Sequence, residues 1–150
     1  VEGRALIVQN LTKNATLATN AVEAQNFNER RIGLLNTPEL PAGGGMWINP
    51  CQSIHTHGMQ YAIDVVFLDQ LGQVTQVHPK VRPGHHGIRS FNAASVLELP
   101  VGTIGSTETA VGDQLKFTRV VQPARGVSKT VDMIALAVAC LFAFALLVSK

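Results

Sequence analysis

Residues 63–68 read Ile-Asp-Val-Val-Phe-Leu, a run of β-branched and aromatic side chains that pack well on a pleated surface and crowd a helix. Asp69, Gln70, Leu71 and Gly72 follow, then a second extended run at 73–77. Strand, glycine-bearing turn and strand together predict a hairpin. Similar short runs lie at 4–10, 16–22, 46–49, 53–56, 95–99 and 114–121, and turn residues separate them: Pro38, Pro41 and the glycines 43–45, then the Gly112-Asp113 pair. Pro50 suits an edge or a turn, residues 79–87 form a loop rich in Pro, Gly and His, and 26–35 has room for one or two helical turns carrying Glu29, Arg30 and Arg31. Regularly spaced short strands predict a mainly β domain, a compact antiparallel barrel or sandwich of jelly-roll type with one or two short helices.

A different constraint acts at the C-terminus, where every residue from 133 to 148 is apolar. A helix across a bilayer needs about 17–25 such residues, and only a helix satisfies its own backbone in lipid. Three segments are therefore expected: a β-rich domain over 1–121, a linker over 122–130 and a transmembrane helix over 131–150. Arg119, Arg125 and Lys129 precede the run and only Lys150 follows it, which favours a single-pass anchor with the domain in the cytoplasm. That holds if Val1 lies near the true start; a leader lost upstream would place the domain in the periplasm or outside. Ala135, Ala139 and Ala143 share one helix face and would let two such helices approach closely.

Composition narrows the partners. Twelve Lys and Arg against ten Asp and Glu leave too little concentrated positive charge for nucleic acid. Cys51 and Cys140 make no disulfide framework. The chemistry-bearing residues gather around Cys51, His55, His57 and Asp64, with His78, His85 and His86 downstream. On an extended segment His55 and His57 project from one face, and with the Cys51 thiolate they would suit zinc or copper, the loop at 85–86 adding ligands if it folds back. The spacing matches no closed structural zinc site, and no cofactor is expected. A cysteine near His and Asp is also the composition of a thiol enzyme, although Cys51 reads better as a small buried hydrophobe beside a turn. Asp64 sits in an apolar strand and must face water or find donors, from Arg30, Arg31 or a backbone turn. Trp47 could stack on a sugar or peptide, or fill the core.

Several segments, quoted as they stand, resemble a known family. These are Asn28-Glu-Arg-Arg-Ile-Gly-Leu-Leu35, Gly45-Met-Trp-Ile48, Ile54-His-Thr-His-Gly-Met59, Ile63-Asp-Val-Val-Phe-Leu-Asp69, Val96-Leu-Glu-Leu-Pro-Val-Gly102 and Gly112-Asp-Gln-Leu-Lys-Phe117. In this order, over about residues 4–120, they are similar to the family known as domain of unknown function 192. Pro50, Cys51, Ile54, His55, Thr56 and Met59 resemble a branch with a Pro-Cys-x-x-Ile-His-Thr motif, where an aromatic is common at the place of His57. The resemblance implies a β-rich fold without an assigned activity, and it marks Cys51, His55, Thr56, Met59, Asp64 and Glu98 as motif or ligand-binding positions, with Asp113 beside them. It also implies an envelope setting, since members are often exported or lipid-anchored and some resemble companions of pilus or secretion systems. With no complete catalytic set in view, the chain reads as a noncatalytic binding or interaction module tethered to the membrane, with a peptide, glycan or protein partner. The alternatives are a metal- or thiol-dependent enzyme on Cys51, His55, His57 and Asp64, and a structural subunit of a membrane assembly. Oligomeric state is left open.

Overall fold

The computed structural model describes residues 5–120; the expected linker and transmembrane helix lie outside the described residues. In chain order the elements are β1 (Ala5–Asn10), β2 (Ala15–Ala24), α1 (Phe27–Ile32), β3 (Gly44–Ile48), β4 (Ser53–Ile54), β5 (Ile63–Leu68), β6 (Val74–Val81), β7 (Ile88–Arg89), β8 (Ser95–Pro100), α2 (Thr103–Ser106) and β9 (Leu115–Arg119). Seven strands form one sheet in the order β6-β5-β8-β3-β2-β1-β9, and β4 pairs with β7 in a separate ribbon.

The sheet is mixed, which corrects the expected antiparallel barrel or sandwich. β2 and β3 run parallel, with Val22 opposite Met46, because the chain leaves β2, makes α1 and returns in the same direction. All other neighbours in the sheet are antiparallel. Nor is there a closed barrel. The edge strands β6 and β9 share no ladder, and the two edges meet at a Gln73–Gln114 bridge and bonds around it, among them Leu115 N–H to the Gly72 carbonyl (2.9 Å), Val74 N–H to the Asp113 carbonyl (2.8 Å) and Gly112 N–H to the Val74 carbonyl (2.8 Å). Gly72 has φ +81°, and a Cβ there would stand 3.0 Å from the Leu115 carbonyl oxygen. Only glycine fits that seam.

β5 and β8 lie in the interior of the sheet and are buried on both faces. Strand alternation sends Val66, Leu68, Leu97 and Leu99 to one side, where they pack with Leu6, Val8, Leu17, Ala21 and Leu115 from the far half of the curled sheet. Ile63, Val65, Phe67 and Val96 face the other way, against Leu34, Ile54, Met59 and Ala93. That second side is roofed by the segment after α1 and by the β4-β7 ribbon.

Asp64 is 1% exposed on the first side. Its donors are backbone amides and not the arginines: Oδ1 accepts from Lys80 N–H at 2.8 Å and Oδ2 from Ile104 N–H at 2.9 Å. Lys80 has φ +52° where the β5-β6 register slips between Ile63 and Val65. The carboxylate thus holds an irregular stretch of β6 and docks the four-residue α2 onto the sheet. A second buried network closes the β1 end, where Asn10 Nδ2 donates to Asp113 Oδ2 (2.8 Å) and Thr109 Oγ1 (3.2 Å), and Ala110 N–H also reaches Asp113 Oδ2. Burial raises the Asp113 carboxyl, but the bonds from Asn10 and Ala110 and the charge of Lys13 outweigh it and hold it below the usual carboxylate range.

Asp64→Ala strands the buried Ile104 amide and the part-buried Lys80 amide. The substitution is expected to cost about 3 kcal/mol, read as a lower urea midpoint with an unchanged m-value; a loss under about 0.5 kcal/mol, the scale of an ordinary surface change, would show that the carboxylate does not hold β6 and α2.

Candidate functional site

The roof over the second side of the sheet begins with α1. Asn26 caps it by accepting from Glu29 N–H at 2.9 Å, and the Glu29 carboxylate accepts from Gln25 N–H at 2.8 Å, close to a reciprocal capping box. Gly33 ends the helix with φ +51°, its N–H bonded to the Glu29 carbonyl. The chain turns there over the sheet, and Leu34 plugs into the core beneath.

Between this turn, the end of β3, Cys51, β4 and β8 lies a cavity of about 200 Å³, lined by Arg30, Arg31, Leu34, Leu35, Ile48, Cys51, Ser53, Ile54, His55, Met59 and Glu98, with Ile32 and Gly33. Arg31, Ser53 and His55 are exposed and stand at its mouth, whereas Glu98 is 3% exposed and forms part of its floor. Glu98 pairs in register with Met46 on one side and Val65 on the other. It shares the Val96 face, so its side chain rises under the roof and not toward Asp64. Glu98 Oε2 is fully buried and has no hydrogen-bond partner among the described residues. Gly33 passes just above it: a Cβ on that glycine would stand 3.9 Å from Oε2.

An ionised carboxylate so placed has lost its water without replacement. Burial accordingly pushes the Glu98 carboxyl up to about 7. Its charge reaches neighbouring groups. Cys51 is raised above its ordinary value, first by burial, with the bond to Ser53 lowering it, Glu98 raising it and Arg30 lowering it. Tyr61 is raised by burial and then by Glu98. The Cys51 thiol donates to the Ser53 carbonyl at 3.2 Å, so at neutral pH it is a protonated thiol engaged with the backbone.

Of the residues singled out from sequence, Cys51, His55, Met59 and Glu98 therefore meet at one cavity. Arg30 and Arg31, first considered as partners for Asp64, join them. Asp64 does not, since it lies on the opposite face of the sheet. His57 stacks instead on His86, ring centroids 4.8 Å apart. Thr56 is fully buried and clasps the loop 82–85: its Oγ1 donates to the Arg82 carbonyl at 2.7 Å and accepts from His85 N–H at 3.1 Å. The loop thus folds back as one sequence reading required, but no three His, Cys, Asp or Glu side chains among the described residues come together in a group that could hold a metal ion. Trp47 is half-buried and stacks on Phe117 at 4.5 Å. A larger open groove of about 880 Å³ runs past Asn49, Asp69, Leu71 and Phe91, yet its carboxylate is already served by Leu71 and Gln73 N–H.

The match to known proteins covers most of this structure. The profile of the domain of unknown function 192 family, described as "Uncharacterized ACR", matches residues 8–117. The chain belongs to that family. Every element from β2 to α2 lies inside the matched span, and so do all residues of the cavity. A UPF0127 protein of Thermococcus sibiricus is 30% identical over 113 residues, 72% of each chain. A UPF0127 protein of Pyrococcus furiosus is 27% identical over 117 residues, 75% of this chain and 98% of its own. In fold, the chain is similar to a crystal structure from Sinorhizobium meliloti, a protein named for a proposed role in transcription regulation, with TM-score 0.67 at 20% identity over 76% of this chain and 92% of that one. A protein of unknown function from Novosphingobium aromaticivorans gives TM-score 0.65 at 17% identity over 75% and 83%. These two likenesses concern the fold alone.

The Glu98 shift makes stability depend on pH in a set direction. An acid raised from 4.5 to about 7 on folding keeps its proton longer in the folded chain, so its contribution is full below the unfolded value and lost as pH rises through the folded one. Unfolding free energy should fall by about 3 kcal/mol between pH 4.5 and 7 on this account. Glu98→Gln should remove that slope and be the more stable protein at pH 8; equal slopes in the two urea series would show that the carboxyl is not strained by burial.

Proposed function

We propose that this member of the domain of unknown function 192 family is a noncatalytic binding module that recognises a small ligand in the cavity beneath α1. The observation that carries the reading is Glu98. A buried carboxylate oxygen without a partner is a cost that a folded domain has no structural need to bear, and here Glu98 lines a space with apolar walls that Arg30 and Arg31 line as well. Pockets with a few convergent polar groups and a perturbed titratable residue are where ligands bind. The state of Cys51 supports a binding role over thiol catalysis, since a nucleophilic cysteine needs a lowered pKa or an adjacent base and this one is raised. The placement of Asp64, spent on two backbone amides behind the sheet, likewise separates it from Cys51, His55 and His57.

The setting we propose is the bacterial envelope, with the domain held at the membrane by residues 131–150. The apolar run 133–148 supports this; a pilus or secretion partner would then meet a tethered domain. In this reading the full chain resists alkaline carbonate extraction from membranes, and a chain ending at residue 130 is released. Release of both would overturn the tether without touching the cavity.

The binding role is tested on the full chain in detergent micelles with a panel of small polar-tipped molecules. A true ligand at ten times its Kd adds about 1.4 kcal/mol and lifts Tm by a few degrees. Ser53→Trp, placed at the exposed mouth, should abolish the lift while leaving the unliganded Tm near its original value. No response to any compound, or an equal response in Ser53→Trp, would sink the reading.

A further inference from the structure

We infer that the cavity takes a small amino-carboxylate with an apolar body, its ammonium set against Glu98 and its carboxylate against Arg30 and Arg31. The inference rests on the binding reading above and assigns the ligand's chemistry. At the floor, Glu98 Oε2 is buried and unpartnered among the described residues. The neighbouring thiol cannot serve it, because Cys51 donates to the Ser53 carbonyl. What Oε2 lacks is a donor brought from outside, and a cationic donor makes the strongest bond to a carboxylate in a place sheltered from water.

The mouth has the opposite sign. Arg30 spends one N–H on the Gln25 carbonyl at 3.3 Å, and a guanidinium has five in all, arranged to grip a carboxylate. Arg31 is exposed beside it. A simple amine would have to pass these two positive groups, and a simple carboxylate would drive its tail toward a buried acid. A molecule carrying both charges meets each with its complement. Between the two ends Leu34, Ile48, Ile54 and Met59 offer only apolar contact, which calls for a hydrocarbon body. At about 200 Å³ the space is below the roughly 300–1,000 Å³ that houses drug-sized ligands, so the occupant is the size of a single metabolite.

The sequence supplies its own reporter for the test. It contains three methionines: Met59 lines the cavity, Met46 packs on the same core cluster, and Met133 lies in the C-terminal apolar run. The full chain, labelled with ¹³C-methyl methionine in detergent micelles, is titrated with 6-aminohexanoate, hexylamine, hexanoate and hexanol. The expected result is a saturable shift of the Met59 methyl with 6-aminohexanoate, and about tenfold weaker binding of the two singly charged probes, the worth of one charge-assisted bond. A shift at Met133 alone marks partition into detergent and counts against the inference. Glu98→Gln should bring 6-aminohexanoate down to the level of hexanoate, and the paired change Arg30→Gln, Arg31→Gln should bring it down to the level of hexylamine. Equal binding of all four probes, or a preference that survives Glu98→Gln, overturns the amino-carboxylate assignment while leaving a ligand cavity in place. A Met59 signal indifferent to every probe overturns both.

Discussion

Burial of β5 and β8 on both faces is the condition from which the rest follows. Neither strand has a wet side, so a carboxylate on either must be accommodated by the protein itself. Each strand carries one, Asp64 and Glu98, and they point to opposite sides of the sheet. On the first side the problem is solved with backbone. Lys80 and Ile104 turn their amides to Asp64, and in doing so they hold a left-handed residue in β6 and dock α2. On the second side Glu98 Oε2 finds no donor among the described residues, and burial raises the acid to about 7. The two carboxylates therefore differ in kind: one is a structural tie, the other an unsatisfied group at the end of a cavity.

The roof explains why that cavity exists. The first side of the sheet closes against itself through curl, with aliphatic side chains from distant strands filling the space. The second side is covered by pieces too short to do this: a six-residue helix, a glycine turn and a ribbon of two-residue strands. Thr56 holds the ribbon region to loop 82–85, and Leu34 and Ile54 reach the core. A gap remains between those anchors, directly over Glu98. The likeness to the two bacterial structures shows that the overall fold recurs.

Much of the strand pattern was legible because it is local. The run 63–68 became β5 at the same boundaries, and the expected extended runs at 4–10, 16–22, 46–49 and 95–99 each fall on a strand. The helical turns expected over 26–35 are α1. β6, in contrast, runs through Pro79 to Val81, inside what reads as a loop, because Pro79 and Lys80 sit at an edge with Asp64 taking the freed amide. The two-residue β7 and four-residue α2 carry too few residues to show a period. The parallel β2-β3 pair was not legible at all, since strand direction depends on where the chain returns after α1.

The sequence by itself determined that the chain would be mainly β, that its C-terminal run differs from the rest, and which family it belongs to. These are properties of composition, local spacing and ordered motifs, which need no knowledge of what lies opposite. Tertiary structure alone decided which motif residues act together. Cys51 and Glu98 stand 47 positions apart in the chain and share one cavity, while Asp64, closer in sequence to Cys51, faces away. The reason is the alternation of a strand buried on both sides: a single residue step turns a carboxylate from one core to the other, and only the packing of the roof says which of the two is left without a partner.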